Sequence, residues 1–571
     1  MEAEAEAKAK AEAEAEAEAK AYARYQRGVA AKHRALRPPA APLTHDAACF
    51  PAERRTQPQQ RFVERFLGPG SEHKGLLVYH RAGAGKTCAA VRLAEAWRTH
   101  AAAPRRVVVL CPASLVANFR AEMRGPCAGP PASVPDDAYD ILSFHAFVKR
   151  ARGGRFDLRN ALLIVDEVQN VVSERGLFYR TLLEVVHAAP DDLRVLLMSA
   201  TPIGDRPSDI ALTLNLLRPA EPLPVGRAFN AEFVVTKHVY GHLKGPDGVY
   251  LKGPDGALLT HVVGVERTAA NLDRFAALTR HMVSYYEASE AAFPATRRRV
   301  VRCPMSAYQW RSYRVHERGR SAGKGYVDLL RLPTDFLLGL RQLSNIAFPS
   351  RLTGEEGLDS LTGAALGDDG IATHSSKMAR VLRAVDAARG PVFVYSHFLR
   401  GVGVECLVRL LEHRGYANVL ASPPSAKRYA VWSGDETAAE RAAALAAFNR
   451  PENRDGRLLK VILGSPAMKE GVSLLRAREV HILEPYWNDA RIEQIAGRAV
   501  RFCSHRDLKA SQRRVDVYVY ASVAPEGEGE EGETVDERIL AMADAKARLA
   551  REFLDVVRDN AVDRDLFFPK T

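Results

Sequence analysis

The sequence lacks any long hydrophobic segment. Although 47% of its 571 residues are apolar, no apolar run approaches the roughly 18 residues that a membrane-crossing helix needs. The start, Met1-Glu2-Ala3-Glu4, is acidic, whereas a secretory signal begins with basic residues followed by an apolar stretch. We therefore expect a soluble, intracellular protein that makes no membrane contact.

Cysteine is sparse, and no two cysteines form a C-x-x-C pair. This spacing predicts neither a zinc site nor a disulfide framework. We expect all seven to be reduced and mostly buried: Cys49, Cys88, Cys111, Cys127, Cys303, Cys406 and Cys503.

Acidic residues are too few to balance the basic ones. Lysine and arginine outnumber aspartate and glutamate by 81 to 69, which gives a net charge of +12 and a pI near 9.3. Because glutamate-rich segments lie towards both ends, the middle of the chain is more basic than this average. The charge favours a polyanionic partner, and nucleic acid is the commonest one.

Composition divides the chain into five predicted segments. Residues 2 to 20 repeat Glu-Ala and Lys-Ala dipeptides without an apolar stripe, which indicates a solvated helix or tail. The doubled Leu-Lys-Gly-Pro-Asp-Gly in the third segment predicts two tight turns of a hairpin-like insertion. We expect a tail and linker, a nucleotide-binding α/β domain, an accessory insertion, a second α/β domain, and an acidic linker with a last helix that packs on the second domain, at 1–44, 45–220, 221–375, 376–525 and 526–571.

The strongest local pattern is an apolar strand, residues 76 to 80, followed by Arg-Ala-Gly-Ala-Gly-Lys-Thr and a helix. Glycines let the backbone N–H groups curl around one anion, and the helix adds its positive N-terminal dipole. Lys86 would reach the β- and γ-phosphates of a nucleotide, and Thr87 would bind Mg²⁺. The phosphate-binding candidates are Gly83, Ala84, Gly85, Lys86 and Thr87, although His80 replaces the first glycine of the usual motif.

Two more patterns complete this half of the chain. An aliphatic run ends in Asp166-Glu167, the pair that metal-assisted hydrolysis needs: Asp166 would bind Mg²⁺ through water and Glu167 would activate the attacking water. Upstream, the amide of Gln59 could read an adenine edge. A solvated turn and an ordinary surface glutamine are the respective alternatives.

The second half carries a glycine loop and an arginine motif. Gly471 permits close approach of the backbone to a ligand. In Gln494-Ile-Ala-Gly-Arg498-Ala-Val-Arg501, the two arginines would share a helix face and present two guanidinium groups to one triphosphate. They could act as arginine fingers, and an ordinary basic helix face is the alternative.

The order of these motifs, with Ser199-Ala200-Thr201 on another strand, resembles that of superfamily 2 helicases. Long matches at 341–349, 484–488, 494–505 and 534–538 are similar to the helicase-like ATPases of nucleocytoplasmic large DNA viruses, such as poxvirus nucleoside triphosphatase I and the early transcription factor small subunit. The resemblance covers residues 55 to 560. It implies that residues 199 to 201 couple hydrolysis to domain movement, and it makes Gln494, Arg498 and Arg501 nucleotide contacts. Gln169 stands where many relatives carry His, and its amide could still bridge the nucleotide site to the arginine motif.

The resemblance implies an α/β fold: two RecA-like domains, each a parallel sheet flanked by helices, with an inserted α+β region and a C-terminal helix. It also implies ATP and Mg²⁺ between the domains and a DNA-stimulated ATPase that moves on nucleic acid in viral transcription. Viral RNA polymerase or a transcription factor large subunit would be the protein partner, in a virion or viral factory. Three alternatives stay open: an RNA helicase, a promoter-binding subunit with incidental ATPase activity, and a nucleotide-gated scaffold.

Overall fold

The computed structural model describes most of the chain. The described residues are 2–38, 44–50, 56–102, 105–125, 127, 134–135, 137–154, 156–242, 250–252, 257–258, 260–287, 290–321, 337–420, 427–468, 471–527 and 533–568. They divide into two compact units, neither of which is one continuous stretch of sequence. The first unit contains residues 1–43, 50–289 and 546–571, and the second contains 44–49 and 290–545.

The described strands and helices alternate along most of the chain. The strands are β1 (Gly75–His80), β2 (Arg106–Cys111), β3 (Tyr139–Ser143), β4 (Ala161–Val165), β5 (Arg194–Ser199), β6 (Val234–His242), β7 (Thr260–Ala269), β8 (Val283–Tyr286), β9 (Ala295–Pro304), β10 (Val392–Tyr395), β11 (Ala417–Asn418), β12 (Arg428–Trp432), β13 (Val461–Gly464), β14 (Glu479–Ile482) and β15 (Arg514–Val523). The helices are α1 (Glu2–Lys32), α2 (His45–Cys49), α3 (Pro58–Leu67), α4 (Lys86–Arg98), α5 (Val116–Met123), α6 (Phe144–Arg152), α7 (Leu177–Ala188), α8 (Asp209–Asn215), α9 (Gly226–Phe233), α10 (Leu272–Thr279), α11 (Ala307–Ser321), α12 (Leu338–Asn345), α13 (Gly354–Asp359), α14 (Asp368–His374), α15 (Ser376–Ala387), α16 (Val404–His413), α17 (Ala438–Phe448), α18 (Asp489–Ala496), α19 (Val535–Asp559) and α20 (Arg564–Phe567).

The first unit is built on a six-stranded parallel sheet in the order β3-β2-β4-β5-β1-β8. Its strands are short aliphatic runs because both faces are covered by helices. Alternate residues of β1 belong to opposite cores: Leu77 packs with α9 and α10, and Leu76 packs with α3 and α4. This order places β5 between β4 and β1, so the segments that follow these three strands lie along one edge of the sheet.

The second unit contains a seven-stranded parallel sheet in the order β11-β12-β13-β10-β14-β15-β9. Helices cover both of its faces as well. Parallel sheets with helices on both sides are the architecture of RecA-like domains, so the predicted fold class is confirmed. The edge strand β9, which carries the basic run Arg297-Arg298-Arg299, lies within the region that the sequence predicted as an insertion.

An antiparallel pair, β6 and β7, lies within the predicted insertion, on either side of the doubled turn motif. Its register shifts between Val239 and Tyr240, which is typical of a β-bulge. A hairpin is therefore present where the sequence predicts one, whereas the glycines of both predicted tight turns lie outside the described residues.

Both ends of the chain pack on the first unit. The side chains of α1 from Glu12 to Lys20 are exposed, as their composition predicts, but from Tyr22 onward the helix carries buried residues such as Val29 and Ala30. The prediction that α19 packs on the second unit holds only for its start, because Phe553 is buried in the first-unit core. An apolar stripe in the sequence predicts that one face of a helix is buried, but it does not predict which unit buries that face. None of the described helices has the length and apolar character needed to cross a membrane.

Two disulfides correct the prediction that all cysteines are reduced. Cys88 is bonded to Cys127, and Cys49 is bonded to Cys503. The partners lie 39 and 454 residues apart in the sequence, so no local spacing could reveal them. The other three cysteines are free and buried, as predicted: Cys111, Cys303 and Cys406.

A buried ion pair lies inside the second unit. The Lys377 ammonium is 2.6 Å from Asp536 Oδ2, and the two side chains are 0% and 2% exposed. Lys377 also donates to Asn345 Oδ1, and the backbone N–H of Ser522 donates to Asp536. Two opposite charges that are paired and hydrogen-bonded can be buried together, whereas burying either charge alone would be strongly unfavourable.

Replacing Lys377 by alanine is expected to lower the free energy of unfolding by about 3–5 kcal/mol, because Asp536 is left buried and unpaired. Urea unfolding followed by tryptophan fluorescence measures the loss. The double variant Lys377→Met/Asp536→Leu should recover most of it, and Lys427→Ala, which removes the exposed pair with Asp386, should cost at most about 1 kcal/mol. Equal losses for Lys377→Ala and Lys427→Ala would contradict the assignment.

Candidate nucleotide site

The phosphate-loop candidate has the backbone that its glycines predict. Gly83 and Gly85 have φ angles of +85° and +79°, a region that suits glycine and strains other residues. A Cβ at Gly85 would displace the Gln60 side-chain amide, which donates to the Gly85 carbonyl. The loop leads directly into α4, whose first residue is Lys86, and the structure therefore presents this loop at a helix N-terminus.

Two glutamine side chains of α3 donate hydrogen bonds to backbone carbonyls of the phosphate loop. Gln59 Nε2 donates to the carbonyl of Ala84 at 3.0 Å, and Gln60 Nε2 donates to that of Gly85 at 3.2 Å. The Gln59 carbonyl oxygen is buried with no hydrogen-bond partner among the described residues. Gln59, predicted as an adenine contact, is thus bonded to the loop and keeps one acceptor that a nucleotide could use.

His80 has a structural role that explains the missing glycine. Its Nε2 lies 2.9 Å from Ser284 Oγ, and Ser284 Oγ donates to Asp563 Oδ2 at 2.5 Å. All three side chains are fully buried, and burial lowers the pKa of His80 to about 3. The His80 carbonyl accepts a hydrogen bond from Lys86 Nζ at 3.1 Å. The start of the loop is therefore fixed to β8 and to the C-terminal segment.

Stability of the first unit should depend on the protonation of Asp563. Burial raises its pKa to about 7 from 3.8, so the folded state binds this proton more tightly than the unfolded chain. The stabilisation is complete below about pH 4 and is lost as the pH rises through 7, at about 1.4 kcal/mol for each unit of pKa difference. We expect Asp563→Asn to remove this pH dependence, measured as the urea midpoint at about pH 6 and about pH 8.5. Parallel pH profiles of the two proteins would contradict it.

The predicted acidic pair follows β4 and begins a hydrogen-bonded chain. Glu167 has a left-handed backbone, with φ of +50°, a conformation that costs free energy and occurs at functional sites. Its Oε2 accepts from Gln169 Nε2 at 2.7 Å, and Gln169 Oε1 accepts from Ser199 Oγ at 2.7 Å. The backbone N–H of Thr201 donates to Ser199 Oγ at 2.9 Å. Gln169 therefore joins the acidic pair to the Ser-Ala-Thr segment.

The residues of this edge fit ATP and Mg²⁺. Asp166 is buried except for 5% of its surface, and its Oδ1 accepts from the Glu167 N–H at 3.0 Å. A carboxylate and the Thr87 hydroxyl are hard oxygen donors, which Mg²⁺ prefers together with water and phosphate oxygens. Lys86 supplies the positive charge that a triphosphate needs. Glu167 is then the remaining carboxylate that could accept a proton from water.

The arginine motif of the second unit differs from its prediction. Helix α18 ends at Ala496, so Arg498 and Arg501 lie in the turn that follows and do not share a helix face. Gly497 is the C-cap of this helix, and its N–H donates to the Glu493 carbonyl. Both guanidinium groups instead contact carbonyls of the segment around Gly471: Arg498 Nη2 donates to Met468, and Arg501 Nη2 donates to Val472 at 3.3 Å.

Within that turn the two arginines differ in burial. Arg498 is only 3% exposed, and its Nη1 also donates to the Gln494 carbonyl at 2.6 Å. Arg501 is half-buried. Gly471 has a φ of +89°, as expected of a glycine loop. The predicted residues Gly471, Gln494, Arg498 and Arg501 therefore converge within the second unit.

A polar network was missed by the sequence reasoning. Glu484 Oε1 accepts from Asn345 Nδ2 and from Ser396 Oγ, each at 2.6 Å, and Glu484 Oε2 accepts from the His397 N–H at 2.8 Å. Through Asn345 it extends to the Lys377 ion pair. Asn345 and Glu484 lie in two of the segments that resemble the helicase-like ATPases, 341–349 and 484–488, but residue patterns alone assigned them no role.

The chain matches known proteins over almost its whole length. Residues 377–503 match the family model described as helicase conserved C-terminal domain. A protein named putative ATP-dependent RNA helicase from Acanthamoeba polyphaga mimivirus is 36% identical over 567 residues, which cover 94% of each chain. A protein named termination factor NPH-I homolog from African swine fever virus is 24% identical over 580 residues, 87% of this chain and 77% of that protein.

A third relative, named putative helicase, comes from invertebrate iridescent virus 3. It is 24% identical over 558 residues, which cover 88% of this chain and 53% of that protein. The match at 36% identity over nearly the full length of both chains shows the family. The chain belongs to the superfamily 2 helicase-like ATPases of nucleocytoplasmic large DNA viruses, enzymes that hydrolyse ATP and bind nucleic acid.

Proposed function

We propose that the chain is a DNA-dependent ATPase that couples ATP hydrolysis to movement along nucleic acid during viral transcription. The observation that supports this best is the chain of hydrogen bonds from Glu167 through Gln169 to Ser199 and Thr201. A group that hydrolyses ATP and a segment that responds to it need a physical connection. Because the Gln169 amide contacts both residues, a change in hydrogen bonding at Glu167 alters the hydrogen bond to Ser199.

The proposed roles follow from the chemistry of each group. Lys86 would bind the phosphates, and Thr87 with Asp166 would hold Mg²⁺, which would supply positive charge to the phosphate oxygens. Glu167 accepts the proton of the attacking water. Gln59 would accept from the adenine amino group, and Arg498 and Arg501 are the candidates for stabilising charge on the transferring phosphoryl group.

DNA is proposed over RNA because the resemblance to poxvirus nucleoside triphosphatase I implies a DNA-stimulated enzyme. The relative from African swine fever virus is named a termination factor, which agrees with a role in transcription. The relative from mimivirus is named an RNA helicase, so RNA-dependent activity is the second candidate. RNA differs from DNA at a binding site by its 2′-hydroxyl groups.

Steady-state ATP hydrolysis by the purified chain, alone and with single-stranded DNA, duplex DNA or RNA, tests the proposal. We expect stimulation by DNA that Lys86→Ala abolishes. Stimulation by RNA alone would favour the RNA helicase instead. Absence of stimulation by every nucleic acid would contradict a nucleic-acid-driven motor and favour a binding subunit with incidental ATPase activity.

Movement and transcription require separate measurements. ATP-dependent displacement of a third strand from a DNA triplex detects movement along duplex DNA without strand separation. ATP-dependent release of RNA from a stalled viral polymerase complex tests the transcription role. If Glu167→Gln supports promoter recruitment and transcript release as well as the wild-type chain does, hydrolysis is incidental and the motor assignment is wrong.

A further inference from the structure

A groove lined by arginines lies on the first unit, between the second half of α1 and the C-terminal segment around α20. Its volume is about 540 Å³, and we call it the arginine groove. The floor contains alanines of α1, and the walls carry charged side chains. The lining residues are Ala23, Gln26, Arg27, Ala30, Ala31, Arg34, Arg37, Asp559, Arg564 and Asp565.

The positive charge of the groove is only partly neutralised. Arg564 forms ion pairs with both lining aspartates, to Asp559 Oδ1 at 3.4 Å and to Asp565 Oδ1 at 3.3 Å. Arg27 and Arg34 are exposed, and neither forms an ion pair within the described part of the chain. Residues 20 to 37 contain no aspartate or glutamate. Two arginines therefore face solvent across a groove that has a net positive charge.

The walls of the groove are held in place by buried contacts. Gln26 Nε2 donates to the carbonyls of Asp559 and Ala561 at 3.0 and 2.8 Å, and Tyr22 OH donates to the carbonyl of Asn560 at 2.7 Å. Val29 packs in the same core as Leu566. The groove is thus a preorganised feature of the fold, so a ligand would not have to order its walls.

We propose that the arginine groove binds the phosphodiester backbone of duplex nucleic acid, as a second contact in addition to the motor sheets. This inference rests on the proposed function, because it assumes a nucleic-acid substrate. Arg27 lies in α1, Arg34 lies just beyond the end of this helix, and both line the same groove. Two guanidinium groups in one groove can bind neighbouring phosphates, each through two hydrogen bonds.

The lining favours a duplex backbone over the other polyanions. None of the groove residues is aromatic, so unpaired bases would find no surface for stacking, which single-strand binding sites provide. The alanines offer no side-chain partner for the backbone amides of a bound peptide.

Salt-dependent binding of the full chain to a short fluorescein-labelled duplex, measured by anisotropy, tests the proposal. The variant Arg27→Ala/Arg34→Ala removes two phosphate contacts, so the slope of log K against log salt should fall in magnitude by about 1.8, with an affinity loss of roughly tenfold or more. The matched control is Arg24→Ala/Lys32→Ala, which removes two charges of α1 that do not line the groove. Its slope should stay within about 0.5 of the wild-type slope.

The outcomes separate this proposal from the proposed function. A groove variant that keeps the wild-type slope and affinity overturns the arginine groove as a phosphate site, and leaves an acidic peptide as its candidate ligand. Equal slope changes in groove variant and control also overturn it, because charge alone would explain them. Duplex binding without stimulated hydrolysis refutes the proposed function while the slopes still test the groove. A wild-type chain that binds no duplex overturns the groove as a duplex site, whereas stimulation by single-stranded DNA still tests the proposed function. Melting curves confirm that each variant folds.

Discussion

The Glu167→Gln enzyme is expected to bind ATP normally and to lose about 10³-fold in kcat. An amide has nearly the shape of the carboxylate but cannot accept a proton from the attacking water. Steady-state hydrolysis with saturating nucleic acid measures the loss, and a fluorescent ATP analogue measures binding. Since Gln169 contacts Glu167 through one oxygen only, the amide variant can keep that hydrogen bond and the local fold.

Two control variants test whether the loss of activity is specific to Glu167. Lys86→Ala should lose nucleotide binding together with hydrolysis, because it removes the charge that reaches the phosphates. Glu184→Gln on α7 makes the same chemical change away from the phosphate loop and should hydrolyse ATP like the wild-type chain. Wild-type turnover in Glu167→Gln would show that another group activates the water.

Arg501→Ala is expected to lower the stimulated kcat by about 10³-fold, the smaller end of the range for an arginine that stabilises phosphoryl charge. The nucleotide affinity should change much less, since charge develops on the phosphoryl oxygens in the transition state. Arg501 is half-buried, and its Nη2 donates a 3.3 Å hydrogen bond to the Val472 carbonyl, so a melting curve of the variant checks that the fold is intact. The kcat and the ATP dissociation constant are measured together.

Arg498 needs a different experiment because it supports the local structure. Arg498→Ala would leave the carbonyls of Met468 and Gln494 without their donor, so its activity loss would combine two causes. Arg498→Lys keeps the charge but cannot make both contacts. If Arg501→Ala retains wild-type kcat while its melting curve is unchanged, Arg501 has no catalytic role.

The nucleotide half of the site was predictable because its signals are local. A strand, two glycines and Lys86 are adjacent in sequence, and their geometry follows from backbone stereochemistry. The acidic pair after β4 is also formed by residues that are adjacent in the sequence. The strand order that brings these segments to one edge, with β5 between β4 and β1, was not predicted, because residue patterns do not specify which strands are neighbours.

Other features depend on contacts between distant residues. His80 appeared to weaken the phosphate-loop pattern, but its partner Ser284 is 204 positions away along the chain. Ser284 in turn donates to Asp563, another 279 positions away. The disulfide of Cys49 with Cys503 has the same long-range character. The end of α18 before Arg498 was missed for a local reason, because the helical spacing of the arginines was read without the helix-terminating Gly497.

The discontinuous first unit has a consequence for protein synthesis. Its core includes Phe553, and its phosphate loop is tied to Asp563, yet a ribosome makes these residues only after the whole of residues 290–545. In the nascent chain, Phe229 and Phe275 therefore stay uncovered until the ribosome has made the second unit and reached Phe553. Apolar surface exposed for that long is a target for chaperones. A fragment that stops before residue 546 should aggregate, however intact its nucleotide motifs are.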